Sequence, residues 1–304
     1  MRSNIHHYDL IAPPTLEAVL HLLDEEPGIH TPIAGGTELM VALGAGRLAP
    51  KKLVSINHLR ELRFLNVAQD HITIGSGTTF TDLRRHQTIA KDFPLLAQAA
   101  GWTGSIANQN RGTLGGNLVN ASPAADSPPA LLAYEAILTL ISARGTRTLP
   151  YRDFHLAYKK TALAPGELLH SITLPRIFAG YTGYIRKVGT RNAQAISKVA
   201  IAALALMKNG RVADIKIGAA SLRETPIRCT AVEAALLNQP ITPRTIAAAK
   251  AALATEAKPI DDIRSTAPYR AAVAANLLEE FLLSLHSDER EENSWDTKRR
   301  GMTS

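Results

Sequence analysis

The chain has 304 residues, 45% hydrophobic and 20% charged, with a net charge of +7. That is a globular balance with room for two sizeable cores, and no apolar run reaches the roughly 20 residues of a membrane helix. A single cysteine, Cys229, excludes an internal disulfide and an iron–sulfur cluster held by this chain alone, since such clusters take about four thiolates.

The N-terminus, Met1–Tyr8, lacks the apolar core of a secretory signal, so the cytoplasm is the expected compartment. Thr15 is placed to cap a helix whose apolar face is Leu16, Val19, Leu20 and Leu23, at helical spacing. Thr31–Ala34 reads as a strand, Leu39, Met40 and Leu43 as a short helix, and Leu53–Ile56 as a strand, a small β-α-β unit over residues 1–56. A middle region covers 57–177. Its strands are His71–Ile74, Ala136–Ile141 and Leu168–Leu174, and its helices are Phe80–Gln87, Phe93–Trp102 and Pro128–Tyr134, the last with proline in its first turn. Gly101–Gly112, rich in Asn, Gly and Ser, reads as a loop. From 178 to 286 the segments Tyr184–Val188, Ala195–Met207 and Val212–Gly218 form a strand meander, with a hairpin turn at Asn209-Gly210. Helices follow at Ala231–Leu237, Thr245–Leu253 and Tyr269–Leu285. The stripe Val273, Leu277, Leu278, Phe281, Leu282 and Leu285 reads as core. Residues 287–304 are polar and charged, and read as a disordered tail.

Two glycine pairs carry the chemistry. The first lies in Pro32-Ile33-Ala34-Gly35-Gly36-Thr37-Glu38-Leu39, the second in Asn110-Arg111-Gly112-Thr113-Leu114-Gly115-Gly116-Asn117, and Asp126 follows nine residues after Asn117. Glycine lets backbone N–H groups converge on an anion without side chains in the way, and a carboxylate suits sugar hydroxyls. Two anion loops and a carboxylate read as a nucleotide site whose diphosphate is held from both sides. Neither loop has the flanks of a Rossmann fingerprint or the Gly-Lys-Ser/Thr ending of an ATP loop.

Elsewhere the signals are weaker. His6 and His7 read as a surface pair, and His155 and His170 as structural residues. Cys229 reads as a buried thiol, and Ser105 and Ser122 lack a nucleophile elbow. Lys187 alternates with apolar residues on its strand, which is compatible with facing solvent or an anion. No catalytic residue and no metal-ligating set stand out. Scattered basic residues and 5% aromatics argue against nucleic acid.

"PIAGGTEL" and "TLGGN" with Asp126, "GELLHSITLP" (Gly166–Pro175) and "YIRKVGTRNAQAISKVA" (Tyr184–Ala200), in that order, resemble the FAD-binding medium subunit of the molybdenum hydroxylases, the xanthine dehydrogenase and carbon monoxide dehydrogenase family. The resemblance runs from about Tyr8 to about Leu285. It implies an α+β chain: a two-part FAD-binding domain of the vanillyl-alcohol-oxidase (PCMH) type, then an α+β C-terminal domain with an antiparallel sheet and helices. FAD would be bound by Pro32, Ile33, Ala34, Gly35, Gly36, Thr37, Glu38 and Leu39 on one side and Thr113, Gly115, Gly116 and Asn117 on the other. Asp126 would hold the ribose or adenine end. Lys187 would meet the N1/C2-carbonyl edge of the flavin, and Leu169 would pack near the isoalloxazine or adenine. The implied partners are a large subunit with a molybdopterin cofactor and a small subunit with 2Fe-2S clusters, in a heterotrimer. Electrons would pass through FAD to NAD, oxygen or another acceptor.

Two departures from the family pattern bear on this. No cysteine lies between Asn117 and Tyr134, which argues against the 4-hydroxybenzoyl-CoA reductase branch, and the segment Ala219–Arg228 leans toward the purine side. "SIANQNRGTLGG" replaces a common Ile-Arg-Asn run and leaves the contacts of Thr103–Arg111 open. A stand-alone flavin oxidoreductase of the same fold and a scaffold that has lost FAD are the alternatives.

Overall fold

The structure, a computed structural model, describes residues 8–48, 52–191 and 194–300, with side chains described up to Leu285. The first unit holds β1 (Asp9–Ile11), α1 (Leu16–Glu25), β2 (His30–Ile33), α2 (Leu39–Gly44) and β3 (Lys52–Ser55). Its three strands are parallel in the order β1-β3-β2. The Thr15 side chain caps α1 by accepting from the Ala18 amide. Val19 and Leu23 on the inner face of α1 pack with Val54, Leu59, Leu62, Ile141 and Leu168. The first unit therefore has no core of its own: Ile141 and Leu168 come from the middle region.

That region runs through β4 (Leu65–Val67), β5 (His71–Gly75), six helices, α3 (Phe80–Arg85), α4 (Gln87–Asp92), α5 (Pro94–Trp102), α6 (Ile106–Arg111), α7 (Leu114–Val119) and α8 (Ser127–Ala133), and then β6 (Ile137–Ser142), β7 (Gly145–Pro150), β8 (His155–Ala157), β9 (Lys160–Thr161) and β10 (Leu168–Pro175). Five of the strands make an antiparallel sheet in the order β4-β5-β10-β6-β7. The last strand of this region, β10, is thus the central one of its sheet. The expected loop over Gly101–Gly112 is a correction: it contains α6, which the Ser105 hydroxyl caps at the Asn108 amide. Polar residues hid this helix, because its one buried side chain, Gln109, is satisfied by hydrogen bonds to Gly101 O and Arg84.

The C-terminal sheet is β11 (Thr182–Val188), β12 (Val199–Lys208), β13 (Arg211–Ala220) and β14 (Ile227–Arg228), followed by α9 (Thr230–Leu236), α10 (Pro243–Glu256) and α11 (Ala267–Arg300). Asn209 and Gly210 both have positive φ, 52° and 70°, as a two-residue hairpin turn requires. Strand β12 is buried on both faces. Ala202 and Leu204 belong to the core of the middle region, while Val199, Ile201, Ala203 and Ala205 pack under α9–α11. The expected core stripe of α11 holds: Leu277, Leu278, Phe281, Leu282 and Leu285 are buried and Val273 packs against them. Burying each such side chain contributes roughly 1.5–3 kcal/mol. The expected disordered tail is a correction in part: residues 287–300 continue the backbone of α11, while 301–304 and the pair His6 and His7 lie outside the described residues.

Candidate cofactor-binding site

Strand β2 ends at Ile33, and the chain turns through Ala34–Glu38 before α2 begins. Gly36 supplies a φ of +74°, a conformation that any Cβ strains. Gly35 does a different job. A Cβ there would lie 1.8 Å from the Arg111 carbonyl oxygen, so glycine is what lets the end of α6 touch this turn. Arg111 Nε also donates to Gly35 O (3.2 Å). The amides of Gly35, Gly36, Thr37 and Glu38 donate to no group among the described residues. A run of such amides in one turn is an anion cradle. Pro32, Ile33, Ala34, Thr37 and Leu39 are half-buried around it, and Glu38 is exposed, with Lys159 Nζ 3.5 Å from its carboxylate.

The second glycine pair is not the open turn that its sequence suggested. Gly115 and Gly116 sit in the first turn of α7, and their amides are already engaged. Leu114 N–H donates to Thr78 O (2.9 Å), Gly115 N–H to Ser76 O (2.8 Å) and Asn117 N–H to Thr113 O (3.0 Å). The Thr113 hydroxyl accepts from Gly116 (3.0 Å). A Cβ on Gly115 would lie 2.5 Å from Ser76 Cβ and 2.7 Å from its carbonyl oxygen. The pair locks α7 onto the Gly75–Thr79 turn instead of presenting N–H groups to a ligand. What remains open is the α-carbon of Gly116, exposed, and the side-chain NH2 of Asn117, whose Oδ1 accepts from Ser127 (2.6 Å).

Asp126 and Lys187 are brought together. Lys187 Nζ donates to Asp126 Oδ2 at 2.6 Å and to Trp102 O at 3.3 Å, and Ser197 Oγ donates to Asp126 Oδ1 at 2.6 Å. The two charged side chains are only 8% and 10% exposed. Burial pushes the Asp126 carboxyl above the usual carboxylate range, against the pull of Lys187 and the Ser197 hydroxyl. Expected at opposite ends of an extended dinucleotide, the two residues occupy one place, so one of those two assignments has to move. Leu169 is 4% exposed and belongs to the main core, which leaves it little surface to offer a ring. His155 is structural as expected, bonded to Leu118 O, and Cys229 is a fully buried thiol whose pKa burial pushes up.

These contacts line up. The first turn meets Arg111, and α7 follows. Asn117 then leads through Ser127 to the Asp126–Lys187 pair. Lys159 makes a second link, holding Asn120 Oδ1 at 2.6 Å beside Glu38. Sequence reasoning gave no role to Arg111, Ser197, or the Ser76 and Thr78 carbonyls. Their partners lie 36 to 76 residues away, and no local pattern signals such a contact. Among the described residues no group of His, Cys, Asp and Glu could hold a metal ion, and no helix is long and apolar enough to cross a membrane.

Two family profiles match the chain. That of the FAD binding domain in molybdopterin dehydrogenase covers residues 6–177, and that of the CO dehydrogenase flavoprotein C-terminal domain covers 184–285. The chain is 31% identical over 260 residues to a putative xanthine dehydrogenase FAD-binding subunit of Escherichia coli, covering 84% of this chain and 88% of that one. It is 27% identical over 275 residues to the carbon monoxide dehydrogenase medium chain of Hydrogenophaga pseudoflava, covering 90% and 96%. A solved structure of carbon monoxide dehydrogenase from Hydrogenophaga pseudoflava superposes with a TM-score of 0.86 at 28% identity, over 90% of this chain and 95% of that one.

Proposed function

The chain belongs to the family of FAD-binding medium subunits of xanthine dehydrogenase- and carbon monoxide dehydrogenase-type molybdenum hydroxylases, and from that premise we propose that it relays electrons through its FAD. The electrons would come from 2Fe-2S clusters on a small partner subunit, reduced in turn by a molybdopterin-bearing large subunit. They would leave to NAD or another acceptor, in the cytoplasm. The observation that carries the reading is the turn of unengaged amides at Gly35–Glu38, joined by continuous contacts to a buried ion pair.

Bound FAD supplies the redox chemistry. The residues of this chain bind and orient it. The Gly35–Glu38 amides hold the diphosphate. The bare α-carbon of Gly116 lets the cofactor approach α7, and the Asn117 amide is available beside it. The Asp126–Lys187 pair acts as one unit, which we assign to the flavin end. Lys187 uses two of its three protons on Asp126 and Trp102, leaving one for a flavin carbonyl. Asp126, with Ser197, fixes where that proton sits.

The test uses the purified full chain. It should be yellow, with one FAD per chain, and organic substrates should leave its flavin absorbance unchanged under anaerobic conditions. Adding the small and large subunits should make bleaching substrate-dependent. Rapid bleaching of the chain alone by an organic substrate would overturn the relay and favour a stand-alone oxidoreductase.

A further inference from the structure

We infer that Arg111 is the cation of the dinucleotide site, supplying the positive charge that the FAD diphosphate needs beside the Gly35–Glu38 amides. The inference rests on the placement of the diphosphate at that turn. Amides offer partial charges, whereas a diphosphate is a dianion; the first glycine motif contains no lysine or arginine, and the second contains one, Arg111. The first motif even carries Glu38.

Arg111 answers that need by its position. Its carbonyl abuts Gly35, and its Nε donates to Gly35 O, so the side chain is anchored on the turn itself. A guanidinium has five N–H donors in a rigid fork. With Nε anchored, its two Nη groups have no partner among the described residues.

Four other arginines of the chain are each spoken for by a carboxylate. Arg63 is paired with Asp82, Arg147 with Glu167, Arg186 with Glu280 and Arg270 with Asp262. Arg111 faces no carboxylate within ion-pair distance among the described residues. The acid in the turn, Glu38, has its own cation in Lys159, which Asn120 also holds. A planar, permanently charged fork, fixed at the edge of a set of free amides and left without a counter-charge, matches the bidentate recognition of phosphate oxygens.

The experiment titrates the apo full-length chain with FAD, following flavin fluorescence, over a series of KCl concentrations. For the wild type, Kd should rise with salt, because the pairing is partly exposed to screening. Arg111→Gln keeps a donor for Gly35 O and removes the charge. It should weaken FAD by about tenfold, the scale of one charge-assisted contact, and flatten the salt dependence. Arg111→Lys should recover both in part. Thermal melts check the fold. A salt-independent wild-type Kd overturns the inference even if no variant folds. So does an Arg111→Gln chain that binds FAD as tightly as wild type, or one whose loss leaves the salt slope unchanged and is not recovered by lysine. Gly36→Val, run in parallel, separates the two failures: if it binds FAD normally, the placement of the diphosphate is wrong and not merely the role of Arg111.

Discussion

The two glycine pairs are the same dipeptide in sequence and different devices in space. In each, the first glycine is a close approach: Gly35 against the Arg111 carbonyl, Gly115 against Ser76. In each, the second glycine carries no contact shorter than 3.0 Å. The difference lies in the amides. Around Gly36 they are unengaged, because the turn follows a strand end and precedes a short helix that does not reach back for them. Around Gly116 they are tied to Thr78, Ser76 and Thr113. A Gly-Gly signal therefore says that something comes close. It does not say whether that something is a ligand or the protein's own backbone.

The strongest lever on the closed side is the ion pair to which it is wired through Asn117 and Ser127. Lys187→Met leaves a buried carboxylate alone and should destabilise the fold by about 3–5 kcal/mol, read by denaturant titration. The sign with pH follows from burial. Without Lys187 only the Ser197 hydroxyl opposes the upward push of burial on Asp126, so the group carries its proton more readily folded than unfolded. The deficit should then be largest at neutral pH and shrink as pH falls toward the ordinary carboxylate range, roughly pH 4. A deficit that is flat with pH would contradict this. Lys187→Met combined with Asp126→Asn should lose less than the sum of the single variants.

Next come the two close approaches. Gly35→Ala and Gly115→Ala both push a methyl group into backbone or Ser76, and each should cost about 1–3 kcal/mol or more in a thermal or denaturant melt. If either is neutral, the corresponding contact is not what demands glycine. The second glycines split the pairs. Gly36→Ala forces a positive φ on a residue with a Cβ, which costs about 1–2 kcal/mol, and it should weaken FAD as well. Gly116→Ala should change stability little, since only Thr113 Oγ1 lies near, and should report on FAD approach alone. Equal FAD losses at constant stability for both would erase the distinction between the loops. The smallest effect is the most selective. Thr113→Ala removes the cap of α7 and should cost about 1 kcal/mol. Thr37→Ala, in the open turn, should leave the melt unchanged, because no hydrogen bond of the protein rests on its hydroxyl among the described residues.

By itself the sequence determined whatever rests on near neighbours. The Thr15 cap and the apolar face of α1 are set within a few residues, as are the Asn209-Gly210 hairpin and the stripe of α11, because capping, turn conformation and helical periodicity are local. The ordered set of motifs also identified the family and its cofactor. Local pattern failed where burial or pairing is supplied from afar. Helix α6 looked like a loop because Arg84 and Gly101 satisfy its buried Gln109. Strand β7 was not read as a strand because its alternation is polar on an edge, with pairing supplied by β6 alone. Only the tertiary structure decided that β10 is the middle strand of its sheet, that one glycine pair keeps its amides and the other does not, and that Asp126 and Lys187 share one buried site. Each of these turns on groups tens of residues apart, whose meeting depends on how whole sheets and helices close on one another; the residues on either side of a glycine or an aspartate are the same whether its partner comes from the protein or from the cofactor.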